Sequence, residues 1–263
     1  MNNRWCIIAG ARSGSTWLEN LIFESFQKNK KPNCLKLNEY IIPPFPSTFS
    51  KDENNYVRES NVPMLPLTND ETSQIIQDRI NIISTSNIEQ PLTMRVFIRP
   101  DQTLNLDYDV FFKKLADRNF KFVTLYRDIF DKSLSWYFME NTGIIHRWGN
   151  NGETYCYDTM QGVKKSIEVT EVKPVTVNIT HWAHTNLYMS YKDEVLRKKM
   201  TAKLDCTTVR YETLIDDCYT NNIPIGPTEI MKTYEFSYKD YILNYDELVQ
   251  AYLYYKDKVG YEE

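Results

Sequence analysis

The chain has 263 residues, 42% of them hydrophobic and 14% aromatic, which is ample for a packed core, and we expect one domain spanning 1–263. Lys+Arg 31 against Asp+Glu 35 gives a formal net charge of −4, so no global basic field draws a nucleic-acid backbone and any anion site must be local. Cys6, Cys34, Cys156, Cys206 and Cys218 are odd in number and lack CxxC spacing, which argues against a disulfide framework or a zinc cluster and for reduced thiols. No apolar run approaches a membrane span and the N-terminus lacks the pattern of a signal peptide, so the expected location is cytoplasmic, with neither membrane nor nucleic acid as partner.

In chain order, Arg4 to Ala9 is a continuous apolar run suited to a central strand of a parallel sheet. Trp17, Leu18, Leu21, Ile22 and Phe26 then recur at helical spacing, which predicts a helix over Ser15 to Gln27 and makes 10–14 a strand-to-helix turn. "CLKLNEY" (34–40) reads as a second short strand. The Pro-, Asn- and Ser-rich stretch over 41–66 reads as a long surface loop that could cover a substrate. "DETSQIIQDRINIIST" (70–85) is amphipathic with an acidic start, as a helix N-terminus prefers. "LTMRVFI", "YDVFFKKLADR", "FKFVTLYR" and "DIFDKSLSWYFMEN" continue as strand, helix, strand and helix. A long helix over about Ile179 to Met200 and the strand "LDCTTVRY" follow, and 220–263 forms a helical tail in which Tyr234, Tyr238, Tyr241 and Tyr245 keep helical spacing for packing. The alternation predicts α/β architecture in three layers around a central parallel sheet.

The turn "GARSGST" carries the chemistry. A glycine turn between a buried strand and a helix aims backbone N–H groups and the positive end of the helix dipole at one point beyond the sheet, which makes an anion site. Gly10 lets the chain turn, Gly14 admits a phosphate without a Cβ in the way, and Ser13, Ser15 and Thr16 bring hydroxyls. The Walker pattern GxxxxGK[ST] does not fit: the glycine spacing is one residue short and Ser15 stands where the lysine belongs, while the cation, Arg12, precedes Gly14.

"GARSGSTWL" closely resembles the 5′-phosphosulfate loop of sulfotransferases that use 3′-phosphoadenosine 5′-phosphosulfate (PAPS), most of all the bacterial and viral carbohydrate branch. "FVTLYRDIFDKSLSWYF" resembles that family's 3′-phosphate strand and helix, with Arg127 at the strand end and Ser135 eight residues on. "TTVRYETLIDD" is similar to its late Tyr-Glu-x-Leu segment, with Tyr211 at the position near the adenine ring. The motifs stand in family order and span residues 7–216. The resemblance implies a P-loop NTPase-like sulfotransferase fold, with PAPS as donor and PAP as product held by Arg12, Ser13, Gly14, Ser15, Thr16, Trp17, Arg127, Ser135 and Tyr211. Two departures stand out. The C-terminal Arg-Lys-Gly segment of the small-molecule enzymes is missing, which leaves Lys or Arg of the tail or of 149–165 as further 3′-phosphate candidates, and Phe97 falls where those enzymes keep a histidine.

Sulfuryl transfer is in-line and loose, so the protein's task is to position groups and to stabilise charge growing on the bridging oxygen. Arg12 is the cation placed for that role, and a sulfuryl group carries too little charge to require a metal ion. The resemblance makes Glu39, at the end of "LKLNE", the expected base for the acceptor hydroxyl, with His146, His181 and His184 as rivals; Trp182 separates the last two, and no third ligand suggests zinc. Loops 41–66 and 141–156, with Phe45, Tyr56, Trp148 and Tyr155, would set the acceptor, a glycan or a small molecule. Two other readings stay open: a P-loop kinase, disfavoured by the missing lysine, and a non-catalytic nucleotide-binding module.

Overall fold

The structure is a computed structural model and describes residues 4–29, 34–36, 49–52, 55–58, 74, 78, 81, 83, 91–98, 108–142, 155–157, 164–166, 174–226 and 238–259. The strands are β1 (Arg4–Gly10), β2 (Leu35–Lys36), β3 (Phe49–Asp52), β4 (Asn55–Arg58), β5 (Leu92–Ile98), β6 (Phe120–Tyr126), β7 (Tyr155–Tyr157), β8 (Lys164–Ser166) and β9 (Cys206–Arg210). The helices are α1 (Ser15–Lys28), α2 (Tyr108–Ala116), α3 (Ile129–Thr142), α4 (Ile179–Trp182), α5 (Tyr188–Thr201), α6 (Leu214–Thr220), α7 (Tyr238–Tyr241) and α8 (Tyr245–Val259), with one π-helical turn at Ala183–Leu187. Two compact units share these elements: Met1–Tyr126 with Val195–Thr228, and Arg127–Glu194 with Glu229–Glu263.

The first unit is α/β. Its sheet runs in the order β2-β5-β1-β6-β9, and every neighbouring pair is parallel. All seven residues of β1 are buried, as a strand covered on both faces requires. Its side chains alternate between two cores. Trp5, Ile7 and Ala9 join Leu18, Leu21, Ile22 and Phe26 of α1, together with Leu214 and Cys218 of α6. Cys6 and Ile8 face the other way, to Phe111, Phe112 and Leu115 of α2 and to Met200. Helices therefore cover both faces of the sheet, giving three layers. Gly10 lies beside Ile98, Ala9 beside Leu125 and Tyr126 beside Arg210, so the carboxyl ends of four strands form one rim.

The sequence expectations hold for β1, α1, β5, α2 and β6 to within a residue or two. The helix expected over 70–85 is represented by Gln74, Asp78 and Asn81, helical and exposed, and by Ile83, helical and buried. The stretch over 41–66 departs from a structureless loop. Phe49–Asp52 pairs antiparallel with Asn55–Arg58, and the Asp52↔Asn55 pairing leaves a two-residue connection in the Asn-rich turn sequence "DENN". At the end of the loop expected over 141–156, β7 starts at Tyr155 and pairs antiparallel with β8.

The second unit gathers α3, α4, the π turn, the first half of α5 and α8 around Leu134, Trp182, Leu187 and Leu248, none of them exposed. Trp182 is fully buried and its indole Nε1 donates to Ser133 Oγ at 3.0 Å, the partner a buried indole needs. The helix expected over 179–200 is present but wound wider at Ala183–Leu187. The tyrosine spacing of the tail is interrupted. After Tyr241 the chain pairs Ile242 with Val175, and the Asn244 side chain exchanges two hydrogen bonds with the Val177 backbone, both 2.9 Å, which reset the chain before α8 begins. No helix among the described residues is long and apolar enough to cross a membrane.

Lys132 of α3 and Asp193 of α5 form a buried ion pair in this unit, Nζ to Oδ2 2.9 Å, with side chains 5% and 2% exposed. Truncating one partner removes a counter-charge from the other's buried group, so Lys132→Ala should lower unfolding free energy by about 3–5 kcal/mol, whereas Lys132→Met with Asp193→Leu should be less destabilised than Lys132→Ala. Urea denaturation of the three proteins checks this.

Candidate functional site

The rim at the carboxyl end of β1 is where the chain does something unusual. Between Gly10 and Ser15 it turns from strand to helix with Arg12 at φ 62 and Gly14 at φ 88. Both values lie in the left-handed region, which costs a non-glycine residue roughly 1–2 kcal/mol and persists only where the surroundings enforce it. The Ser13 hydroxyl donates to the Gly10 carbonyl at 2.8 Å and ties the turn back to the strand. The Gly14 carbonyl accepts from Trp17 N and Leu18 N, at 2.9 and 3.3 Å, and starts the helix. The N–H groups of Ser13, Gly14, Ser15 and Thr16 find no acceptor among the described residues. Consecutive N–H groups in such a turn, backed by a helix dipole, form a concave anion site.

Tyr211 closes one side of the loop. It follows β9 and donates its backbone N–H to the Tyr126 carbonyl at 2.8 Å. Its ring covers Gly14 so closely that a Cβ on that residue would stand 2.3 Å from Cδ2. Trp17 meets the same ring edge-on, with centroids 5.8 Å apart. The structure thus brings together Gly14, Trp17 and Tyr211 from distant parts of the sequence.

A second group of residues lies on the flank of α1 toward β5 and β2. Arg95, in the middle of β5, places Nε 2.8 Å from Glu19 Oε2 and donates from a terminal nitrogen to Thr16 Oγ1 at 2.5 Å. Glu19 is fully buried and Arg95 nearly so. The Lys36 amine of β2 donates to Asn20 Oδ1 on the same helix. Burial pushes the Lys36 pKa down, the Glu19 carboxylate pulls it back up and Arg95 lowers it further. Glu24, one turn further along α1, has its carboxyl raised by burial and lowered in part by Lys36. Sequence reasoning singled out none of Glu19, Lys36 and Arg95. The available signal was an arginine inside an otherwise apolar buried strand, since a charge there requires an opposite charge packed against it.

The second unit holds the other expected residues. Asp128 starts α3, its side chain accepting from Asp131 N at 3.1 Å. Half-buried Arg127 directly precedes that helix, and Ser135 is buried within it. His181 and His184 are exposed; their rings lie edge-on to Tyr137 and Tyr255, at 6.2 and 6.4 Å. No group of three or more His, Cys, Asp or Glu among the described residues could hold a metal ion. Glu39 and His146 lie outside the described residues, as does the side chain of Phe97. No protein-family model, no curated protein and no solved structure matches this chain.

The double constraint on Gly14 gives a test. Gly14→Ala should cost about 1–2 kcal/mol from positive φ alone, and more from the Tyr211 ring. In a Tyr211→Ala background the ring contribution should vanish while the backbone contribution stays. Chemical denaturation of the four proteins of this cycle separates the two.

Proposed function

We propose that the chain is a PAPS-dependent sulfotransferase of P-loop NTPase-like fold that transfers a sulfuryl group to a hydroxyl of a carbohydrate or small-molecule acceptor. The observation that carries this reading is the left-handed turn around Arg12 and Gly14, after which the N–H groups of Ser13, Gly14, Ser15 and Thr16 have no acceptor among the described residues. That donor set fits a phosphate ester: it offers backbone N–H groups and a hydroxyl at the head of a helix, with a cation inside the turn. The order of strands supports the same place. β1 leads toward β2 on one side of the sheet and β6 leads to β9 on the other, and ligands of parallel α/β sheets bind at the carboxyl end of such a reversal.

When bound, PAPS supplies a sulfuryl group activated by its 5′-phosphate. The N–H groups of Ser13 to Thr16 hold the phosphate oxygens, and Arg12 stabilises the negative charge that grows on the bridging oxygen. The family resemblance gives Trp17 and Tyr211 to the cofactor, Tyr211 near the adenine, and makes Arg127 and Ser135 the expected ligands of the 3′-phosphate. Glu39 takes the proton from the acceptor hydroxyl.

Titration calorimetry tests the assignment. Adenosine 3′,5′-bisphosphate should bind without magnesium and more tightly than ATP with magnesium; the reverse order would overturn the proposal in favour of a kinase. With an acceptor found by screening glycans and small alcohols, Arg12→Ala should lose about 10²–10³ in kcat, the scale of one charge-stabilising donor. Glu39→Gln should lose about 10²–10⁴. Arg127→Ala should chiefly weaken bisphosphate binding, by about tenfold or more.

A further inference from the structure

The three hydroxyls of the turn look equivalent in sequence, yet their protons are placed differently. Ser13 spends its proton on the Gly10 carbonyl. Thr16 is the reverse case. Its oxygen already receives an N–H from Arg95, and among the described residues nothing accepts the Thr16 proton. A guanidinium only donates, so the bond from Arg95 must fill a lone pair of Thr16 and turns the hydroxyl proton toward another acceptor. Donation from a cation into that oxygen also polarises the O–H and strengthens it as a donor.

Arg95 is in turn held by Glu19. The carboxylate is fully buried one helical turn after Thr16, and its Oε2 lies 2.8 Å from Arg95 Nε, a charge contact without hydrogen-bond alignment. A guanidinium buried at mid-strand needs such a counter-charge, and a carboxylate packed beside Nε restricts how far the side chain can swing away from Thr16. The Lys36 amine of β2 donates to Asn20 on the same helix, which adds a second cation to this flank.

We propose that Glu19 and Arg95 are positioning residues that commit the Thr16 hydroxyl to donate to the anion in the turn. Glu19 orients Arg95, Arg95 occupies the Thr16 oxygen, and the Thr16 proton is left directed at the bound phosphate. This rests on the reading of the turn as the 5′-phosphate site. It assigns to α1 and β5 a role in that site for which the loop motif has no residue.

The test is a binding cycle that needs no acceptor. Wild-type protein is first titrated with adenosine 3′,5′-bisphosphate, ATP and inorganic phosphate. If ATP or phosphate binds and the bisphosphate does not, the sulfotransferase reading fails while the relay is still tested on the anion that binds. Failure of all three to bind overturns both. Thr16→Val should then weaken binding of that probe about tenfold, the scale of one charge-assisted hydrogen bond, and Thr16→Ser should restore it. In a Glu19→Gln background, which keeps the side-chain volume, the Thr16→Val penalty should fall below about threefold, because the hydroxyl is no longer committed. An undiminished penalty in that background overturns the relay, as does failure of Thr16→Ser to rescue. Should Glu19→Gln unfold, Arg95→Lys, which keeps the charge and loses the fork, serves as the background with the same two outcomes.

Discussion

The candidate site depends on one backbone constraint: a reversal from strand to helix in which residues 12 and 14 both adopt positive φ. A buried central strand cannot drift into its helix through a long connection without exposing the carbonyls at its end, so the turn must be short and tied to the strand. Ser13 provides the tie and Gly14 the flexibility, but Arg12 has a Cβ and is held left-handed at a cost of roughly 1–2 kcal/mol. Strain of that kind is a reason to look for function, and here the N–H groups of Ser13 to Thr16 have no acceptor among the described residues. Tyr211 completes the constraint, since its ring occupies the space that any side chain at position 14 would need.

The second organising feature is electrostatic. Helices that cover parallel sheets usually present apolar residues to them, and α1 does so with Leu18, Leu21, Ile22 and Phe26. On the flank toward β5, however, it buries Glu19 and Asn20 against Arg95 and Lys36. Among the described residues, the two cations face the carboxylates of Glu19 and Glu24, a formally balanced set that would suit a cluster beside an anion site. A net negative cluster would repel the anion, and a net positive one would be costly to bury before the anion arrives. Replacing such a group by packed hydrophobes would often be neutral for stability, so stability alone does not account for it.

The strong periodic elements were legible from sequence because their signals are local. The apolar run of β1 and the helical spacing of α1 each state their burial within a few residues. What was illegible depended on partners distant in sequence. Glu19 and Asn20 read as the polar face of an amphipathic helix, and only the positions of Arg95 and Lys36 make that face an interior one. The π turn at Ala183–Leu187 has no compositional mark. The break in the tyrosine spacing of the tail comes from Asn244 pairing with Val177, 67 residues away. Within the turn, the glycines were legible as a reversal from strand to helix, yet the contact of Tyr211 with Gly14 was not, since resemblance put that tyrosine near adenine rather than on the loop itself.

The hydroxyls of the turn show why residue type alone underdetermines a phosphate loop. Ser13, Ser15 and Thr16 all score as donors in a motif, but a hydroxyl has one proton, and the surrounding acceptors and donors decide where it goes. Ser13 faces a carbonyl and becomes a structural brace. Thr16 faces a guanidinium and is left with its proton unclaimed among the described residues. A threonine in this second situation is a better anion donor than its motif position implies, because the guanidinium removes the competing orientation before any ligand arrives. The loop therefore extends, in energetic terms, to the strand and the helix that hold that guanidinium. A sequence sharing only the loop's own residues, with an apolar pair in place of Glu19 and Arg95, would keep the shape of the turn and lose the direction of its proton.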